Sequence, residues 1–262
     1  MNMNKQVLEK LHKCQVEMLD ILDAFCEENN LSYYLSGGTL LGAVRHQGFI
    51  PWDDDVDVVM PRNDYEYLLE NFQSYIGDTY FLQTCFTDSG YGRDFAKLRK
   101  NNTLFLEQAD SHVENRHHGI FLDIFPMEYS KKKKNVIDKA KYRLYQAIDS
   151  YIVCKRGGLP TSKKSLIFSV LSIKQLLHLR EKLKKGVGDY YFFSYCGIFH
   201  KSEYYPPVKL KFEGKEYCSP NQYDALLKSQ YGDYMQLPPE DKRITHSPLR
   251  ISFDLSGPDE II

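Results

Sequence analysis

The stretch "GFIPWDDDVDVVMP", residues 48–61, decides how this chain is read. Val56, Val58 and Val59 give it the β-branched content of a buried strand, yet Asp53, Asp54, Asp55 and Asp57 crowd four carboxylates into five positions. Alternation along an extended chain puts Asp55 and Asp57 on one face and Val56 and Val58 on the other. Anions paired on a half-buried strand repel each other, so the pattern predicts a positive partner at that face.

The segments on either side supply a setting for such a partner. "LSYYLSGGTLLGAVRH" (31–46) predicts a short aromatic strand, a turn at Ser36-Gly37-Gly38 and a helix. Glycines let backbone N–H groups approach a phosphate, and a helix N-terminus adds the positive end of its dipole. "HHGIFLDIFPM" (117–127) reads as a buried strand with a single acid, Asp123, inside it. Two carboxylates on one strand and a third from a neighbouring strand form a ligand set for a hard cation such as Mg²⁺.

The rest of the chain predicts an α+β fold. Apolar residues at helical spacing run from Lys5 to Glu28, ended by Asn29 and Asn30, and "RNDYEYLLENFQSYI" is helical after Pro61. "YFLQTCF" and "DFAKLRK" read as strands, with "TLFLEQ" extending the second across an Asn101-Asn102 turn. Beyond Met127 two helices are predicted, over "KKKKNVIDKAKYRLYQAIDSYIVCKR" and "SKKSLIFSVLSIKQLLHLREKLKK", separated by Gly157, Gly158 and Pro160. The tail carries short strands, a helix near "NQYDALLKSQYG" and a Pro-rich loop at "QLPPEDKRITHSP". The expected organisation is a core over 1–130, a basic helical segment over 131–190 and a C-terminal part over 191–262 that completes the same domain.

Composition narrows the function. With 262 residues, 42% of them hydrophobic, the chain can bury a substantial core. It has no run of about 18 apolar residues, and "MNMNKQVLEKLHKC" lacks the apolar region of a signal peptide, so a cytoplasmic protein is expected. Cys14, Cys26, Cys85, Cys154, Cys196 and Cys218 show no C-x-x-C spacing, which points to reduced, mostly buried thiols rather than a zinc site or disulfide framework. Residues 131–185 hold 16 Lys or Arg against Asp138, Asp149 and Glu181, so a net charge of -1 conceals a strongly basic segment on an acidic remainder. By default this segment is a solvated helix surface. Its lysines and leucines also suit an anionic membrane, which would hold the protein peripherally at the inner face of the plasma membrane. No nucleic-acid-binding motif accompanies the charge.

Taken in order, "YYLSGGTLLGAVRHQGFIPWDDDVDVVMPR", "KLRKNNTLFLE", "HGIFLDIFPM" and the tail "YGDYMQLPPEDKR" resemble the LicD family of phosphocholine transferases, which share the nucleotidyltransferase fold. The resemblance is close over 31–127 and looser over 221–246. It implies a nucleotidyltransferase-like mixed sheet flanked by helices, with Asp55, Asp57 and Asp123 as catalytic and Mg²⁺-binding residues. It also implies transfer of a phospho-alcohol, typically phosphocholine from CDP-choline, to a hydroxyl of a cell-surface glycan precursor (teichoic acid, lipopolysaccharide or capsule), with release of CMP. The acceptor is then a glycan that lipid linkage would place at a membrane. Phosphoryl transfer needs mainly positioning and charge neutralisation, which such a site supplies. Glycerol, ribitol or ethanolamine phosphate would need the same metal machinery and a different head-group pocket. An inactive nucleotide-binding or membrane-scaffolding protein is the alternative of another class, opposed by the cost of keeping three carboxylates together without a cation.

Each candidate also has a plainer reading. Asp53 and Asp54 read as supports of an acidic turn, and Asp123 as a metal ligand, as acceptor of the hydroxyl proton, or as a turn cap before Pro126. Ser36, Gly37, Gly38 and Thr39 form either a tight turn or a phosphate cradle. Arg45, Lys97 and Arg99 are expected at phosphate, Lys97 and Arg99 sharing one strand face, although ordinary surface charge is the alternative. Trp52, the sole Trp, is a candidate wall for a trimethylammonium group, with Phe49, Tyr91, Phe121 and Phe125 as further aromatic candidates. His46, His117 and His118 read as structural.

Overall fold

The structure is a computed structural model that describes residues 3–108, 113, 115–132, 135–184, 186, 188–193, 197–243, 245 and 248–257. Helix α1 (Lys5–Glu28) is capped by the Asn4 side chain on Gln6 N, 2.9 Å, and buries Val7, Leu11, Cys14, Met18, Leu19, Leu22 and Phe25 along one stripe. It ends at Asn29, followed by Asn30 at a positive φ of 53°. Strand β1 (Tyr34–Leu35) leads into α2 (Gly37–His46), strand β2 (Asp57–Pro61) and α3 (Arg62–Ile76). Then come β3 (Tyr80–Gln83), β4 (Ala96–Lys100), β5 (Leu104–Leu106) and the long β6 (Phe121–Ser130). The elements form an α+β fold, as the sequence predicts.

The sheet runs in the order β1-β2-β6-β4-β3. β2 and β6 are parallel, and the other pairs on this path are antiparallel. A parallel pair needs a crossover, provided here by residues 62–120. Alternation sorts the strands. Leu82, Leu98, Leu122, Ile124, Val58 and Met60 join the apolar cluster that contains the buried faces of α1 and α3. Gln83, Lys97, Asp123 and Asp57 occupy the intervening positions, in register across four neighbouring strands.

The basic segment forms α4 (Val136–Arg156), a 3₁₀ segment (Lys163–Val170) and α5 (Ile173–Lys184). The single helix expected over 162–185 is therefore two pieces. The break is a capping box: Ser172 Oγ accepts from Gln175 N at 3.2 Å, and Gln175 Oε1 accepts from Ser172 N at 2.9 Å, while Leu171 is extended. α4 and α5 pack together over Cys85, Ile148, Ile152, Leu176 and Leu177. Buried Arg180 donates to Asp149 (2.7 Å) and to the Gly92 carbonyl (2.9 Å), tying α5 to the loop before β4.

In the C-terminal part, β7 (Tyr190–Phe193) pairs with the end of β6 and with β8 (Gly197–His200). β9 (Val208–Phe212) and β10 (Lys215–Ser219) form a hairpin, followed by α6 (Tyr223–Tyr231) and β11 (Arg250–Ser252). The third strand-like segment after α3 departs from the sequence expectation. β5 does not extend β4 past the Asn101-Asn102 turn but pairs with β11 in a separate two-stranded sheet, Phe105 opposite Ile251. The turn, with Asn102 at φ 57°, sends the chain out of the main sheet. Cys14, Cys26 and Cys85 are buried, and Cys154 and Cys218 partly so, all as free thiols; Cys196 lies outside the described residues. Burial pushes the Cys14 thiol up to about 11. Among the described residues, no helix is long and apolar enough to cross a membrane.

Candidate active site

The site is built where β2 and β6 run side by side. Asp57 opens β2 and stands in register with Asp123 on β6, which in turn stands opposite Lys97 on β4. Asp55 does not lie on the strand with Asp57, because β2 begins at Asp57 and residues 53–56 are irregular. The alternation survives in burial nonetheless: Asp53, Asp55 and Asp57 are partly exposed, while Asp54, Val56 and Val58 are buried. Carboxylate oxygens of Asp53, Asp54 and Asp55 all lie within 4.8 Å of one another, so Asp53 and Asp54 belong to the acidic cluster itself.

Burial pushes the Asp57 carboxyl well above the usual carboxylate range, and the neighbouring Asp55, Asp123 and Asp53 push it in the same direction against Lys97. The Lys97 ammonium lies 2.7 Å from Asp123 Oδ1 and 3.0 Å from Oδ2, and 3.4 Å from the Phe121 ring centroid. The repulsion at Asp57 and the gathered carboxylate oxygens of Asp53, Asp54 and Asp55 fit a divalent metal ion held by oxygen ligands.

The glycine turn closes directly on the acids. A Cβ at Gly37, where φ is +53°, would meet Asp57 Oδ2 at 3.0 Å, and one at Gly38 would meet Asp53 Oδ2 at 2.6 Å. Thr39 is buried and accepts from the Asp57 N–H at 2.8 Å, so it supports the strand entry. Ser36 precedes the helix without capping it, and its N–H donates to the Asp57 carbonyl at 3.1 Å. The first-turn N–H groups of α2 have no helical acceptor, and the two glycines of that turn stand against Asp57 and Asp53.

Three expected residues are placed differently from the sequence reading. Arg45 stands in the last turn of α2, about 12 Å along the helix from Gly37, and donates to the Tyr234 carbonyl at 2.7 Å. Arg99 is buried, donating to Gln83 Oε1 and the Gly119 carbonyl, both at 2.7 Å. Arg45 thus joins the C-terminal segment to α2, and Arg99 braces the sheet beneath the site. The Trp52 ring is covered by the Arg243 guanidinium, 4.4 Å from its centroid, so its face already holds a cation. Among the aromatic candidates, Phe49 stacks on His12 at 3.7 Å, whereas Phe125 packs on Phe95 at 4.4 Å, and Tyr91 meets Phe95 edge-on at 6.1 Å. Phe95 and Phe121 flank Lys97, which gathers this aromatic group beside Asp123.

Sequence reasoning overlooked what holds the acidic loop. His12 Nε2 lies 2.8 Å from the Asp53 carbonyl, and Gln15 Nε2 donates to the Asp54 carbonyl at 2.9 Å. Glu213, at the tip of the β9–β10 hairpin, accepts from Phe49 N at 3.1 Å. Gln15 did leave a signal, as a polar residue in the apolar stripe between Leu11 and Met18.

A mixed sheet with carboxylates on adjacent parallel strands and a glycine turn opening a helix against them has the form of a nucleotidyltransferase-type domain. The profile described as LicD/FKTN/FKRP, nucleotidyltransferase domain, matches residues 30–153, the span that contains the turn, the acidic loop and Asp123. The chain is 30% identical to the lipopolysaccharide cholinephosphotransferase LicD of Haemophilus influenzae over 264 residues, 93% of this chain and 97% of that protein. Shorter matches are found to uncharacterized proteins of Rickettsia typhi, 47% identical over 49 residues (18% of this chain, 16% of that one), and Rickettsia prowazekii, 57% identical over 37 residues (14% of each). The chain belongs to the LicD family.

Proposed function

We propose that this enzyme is a Mg²⁺-dependent phosphotransferase that moves phosphocholine from CDP-choline to a hydroxyl of a cell-surface glycan and releases CMP. The observation that carries the reading is the row Asp57–Asp123–Lys97 across three neighbouring strands, closed on one side by Gly37 and Gly38. The full-length likeness to a lipopolysaccharide cholinephosphotransferase supports phosphocholine as the group and a lipopolysaccharide-type glycan as the acceptor. A lipid-linked acceptor and peripheral contact with an anionic membrane belong to the same reading.

Asp55, Asp57 and Asp123 would hold the metal, with Asp53 beside Asp55, and the ion when bound would neutralise charge on the diphosphate oxygens. The N–H groups at the start of α2 would receive the CMP phosphate. Asp123 would alternatively accept the proton of the attacking hydroxyl, with Lys97, 3.0 Å from its Oδ2, holding the carboxylate in position. The glycan oxygen then bonds to the choline-bearing phosphorus as the bridging P–O bond breaks, and CMP leaves with the bridging oxygen. Phe125 is the partly exposed ring of the aromatic group beside Lys97 and Asp123, and the buried Tyr91, Phe95 and Phe121 would back it.

A neutral alcohol phosphate is the second reading, favoured by the Arg243 guanidinium that covers Trp52. Competition among CDP-choline, CDP-ethanolamine, CDP-glycerol and CDP-ribitol separates the two. Preferential use of CDP-choline is expected; preference for a polyol donor would overturn the choline assignment and leave the phosphotransferase.

A further inference from the structure

We propose that the surface over residues 155–174 docks the enzyme on an anionic lipid bilayer. This places the membrane contact of the reading above on one side of the molecule. Between Ser150 and Glu181 the sequence contains no acid, and Lys155, Lys163, Lys164 and Lys174 are all exposed. None of the four forms an ion pair with another described residue. Apolar side chains stand among them in the open: Leu166 is 51% exposed, Ile167 71% and Val170 82%, with Leu159 and Leu171 also exposed.

Two facts make this a built surface rather than a loose helix. The 3₁₀ segment is held from beneath, since Phe168 lies 5.8 Å from the Tyr151 ring and packs with Ile173 against the cluster of Cys85, Ile148 and Leu176. The capping box at Ser172 and Gln175 then breaks the helical run, so Ile167 and Val170 point outward where one continuous amphipathic helix would have buried an apolar stripe. Cations interleaved with outward aliphatic side chains complement a bilayer carrying negative head groups: lysines meet the lipid charge and aliphatic groups enter the acyl boundary. A twofold contact with a second copy through the same surface would set these lysines against one another.

The surface is rigidly joined to the active site. Arg156, at the end of α4, donates to the Tyr91 carbonyl at 2.6 Å, and a Cβ on Gly92 would lie 2.9 Å from Val153 Cα. The loop so held feeds β4 and Lys97, so docking also fixes the orientation of the site toward a lipid-linked acceptor.

Flotation tests this without reference to catalysis. The full chain is mixed with vesicles of phosphatidylcholine alone or with phosphatidylglycerol, at low and high salt. Flotation with the anionic vesicles alone, reversed by salt, is expected. Lys163→Gln/Lys164→Gln should weaken partitioning roughly thirtyfold, and Ile167→Ser/Val170→Ser about tenfold or more. Both variants should keep the wild-type circular dichroism and CMP release from soluble donor. Equal recovery from both vesicle types, recovery from neither, or a dimer that Ile167→Ser/Val170→Ser dissociates would overturn the proposal. A wild-type enzyme that transfers phosphocholine yet never floats would sink the docking surface alone.

Discussion

Asp57 and Asp123 are register partners across the parallel pair β2–β6, and Asp123 is also paired with Lys97 on the antiparallel neighbour β4. Two acids and one lysine thus share a line across the sheet, and the additional acids of residues 53–55 tip the balance toward negative charge. This imbalance is the physical root of the expectations that follow.

Asp57→Asn should stabilise the metal-free protein while abolishing transfer. The folded carboxyl is held well above its unfolded value by burial and by Asp55, Asp123 and Asp53. Its contribution therefore favours the fold at low pH, where both states are protonated, and is lost as pH rises through the unfolded and then the folded value. Thermal melts without metal should show the variant ahead of wild type at neutral pH, the gap closing toward acid pH. Turnover should fall by about a thousandfold. Equal melting at pH 7 would contradict the crowding.

Lys97→Met removes the cation that pairs with buried Asp123 and rests on Phe121. Leaving that carboxylate unpaired should cost about 3–5 kcal/mol in denaturant unfolding. Lys97→Met/Asp123→Asn should recover much of the loss, and strictly additive effects would mean that the two groups do not interact.

The glycines separate function from folding. At Gly42 a Cβ would lie 2.4 Å from the Gly48 carbonyl oxygen, a backbone atom, so Gly42→Ala should destabilise by about 1–3 kcal/mol. At Gly38 the obstacle is Asp53 Oδ2, the end of a side chain that can turn aside. Gly38→Ala should therefore fold near normally and lose turnover, a contrast read from paired melts and assays.

His117 is held neutral, its pKa lowered to about 4 by burial and by Arg99. Its Nδ1 accepts from Gly119 N at 3.0 Å, and Nε2 lies 2.7 Å from Asn101 Oδ1. The contribution is present above the usual histidine pKa of about 6.5 and is lost as pH falls from there through the folded value. An NMR titration of the ring near pH 4 checks this; a midpoint near 6.5 would contradict it.

Much of the site was legible because strand alternation and glycine turns are local chemistry. Gly37, Gly38, Asp57 and Asp123 are neighbours in space for reasons already present in "SGG", "DVDVV" and "FLDIF", and β2 and α3 fall where the valines and Pro61 predict. What local chemistry does not encode is where long side chains end. Arg45 and Arg99 carry the right charge but are consumed by carbonyls and Gln83, and Trp52 is covered by a residue almost 200 positions away. The split of the second basic helix was encoded, in Ser172 and Gln175, within a run whose leucine spacing favours one helix. β5 left the sheet for a partner, β11, that its own sequence does not name.

The central claim is tested most directly by supplying CDP-choline labelled in the choline-bearing phosphate, together with a lipopolysaccharide acceptor, and measuring glycan-bound label against CMP. With Mg²⁺ present, wild-type enzyme should place label in the glycan in equal proportion to the CMP formed, and Asp57→Asn should do neither. Equal transfer by wild type and Asp57→Asn, or CMP formed with the label still free as phosphocholine, would contradict the account.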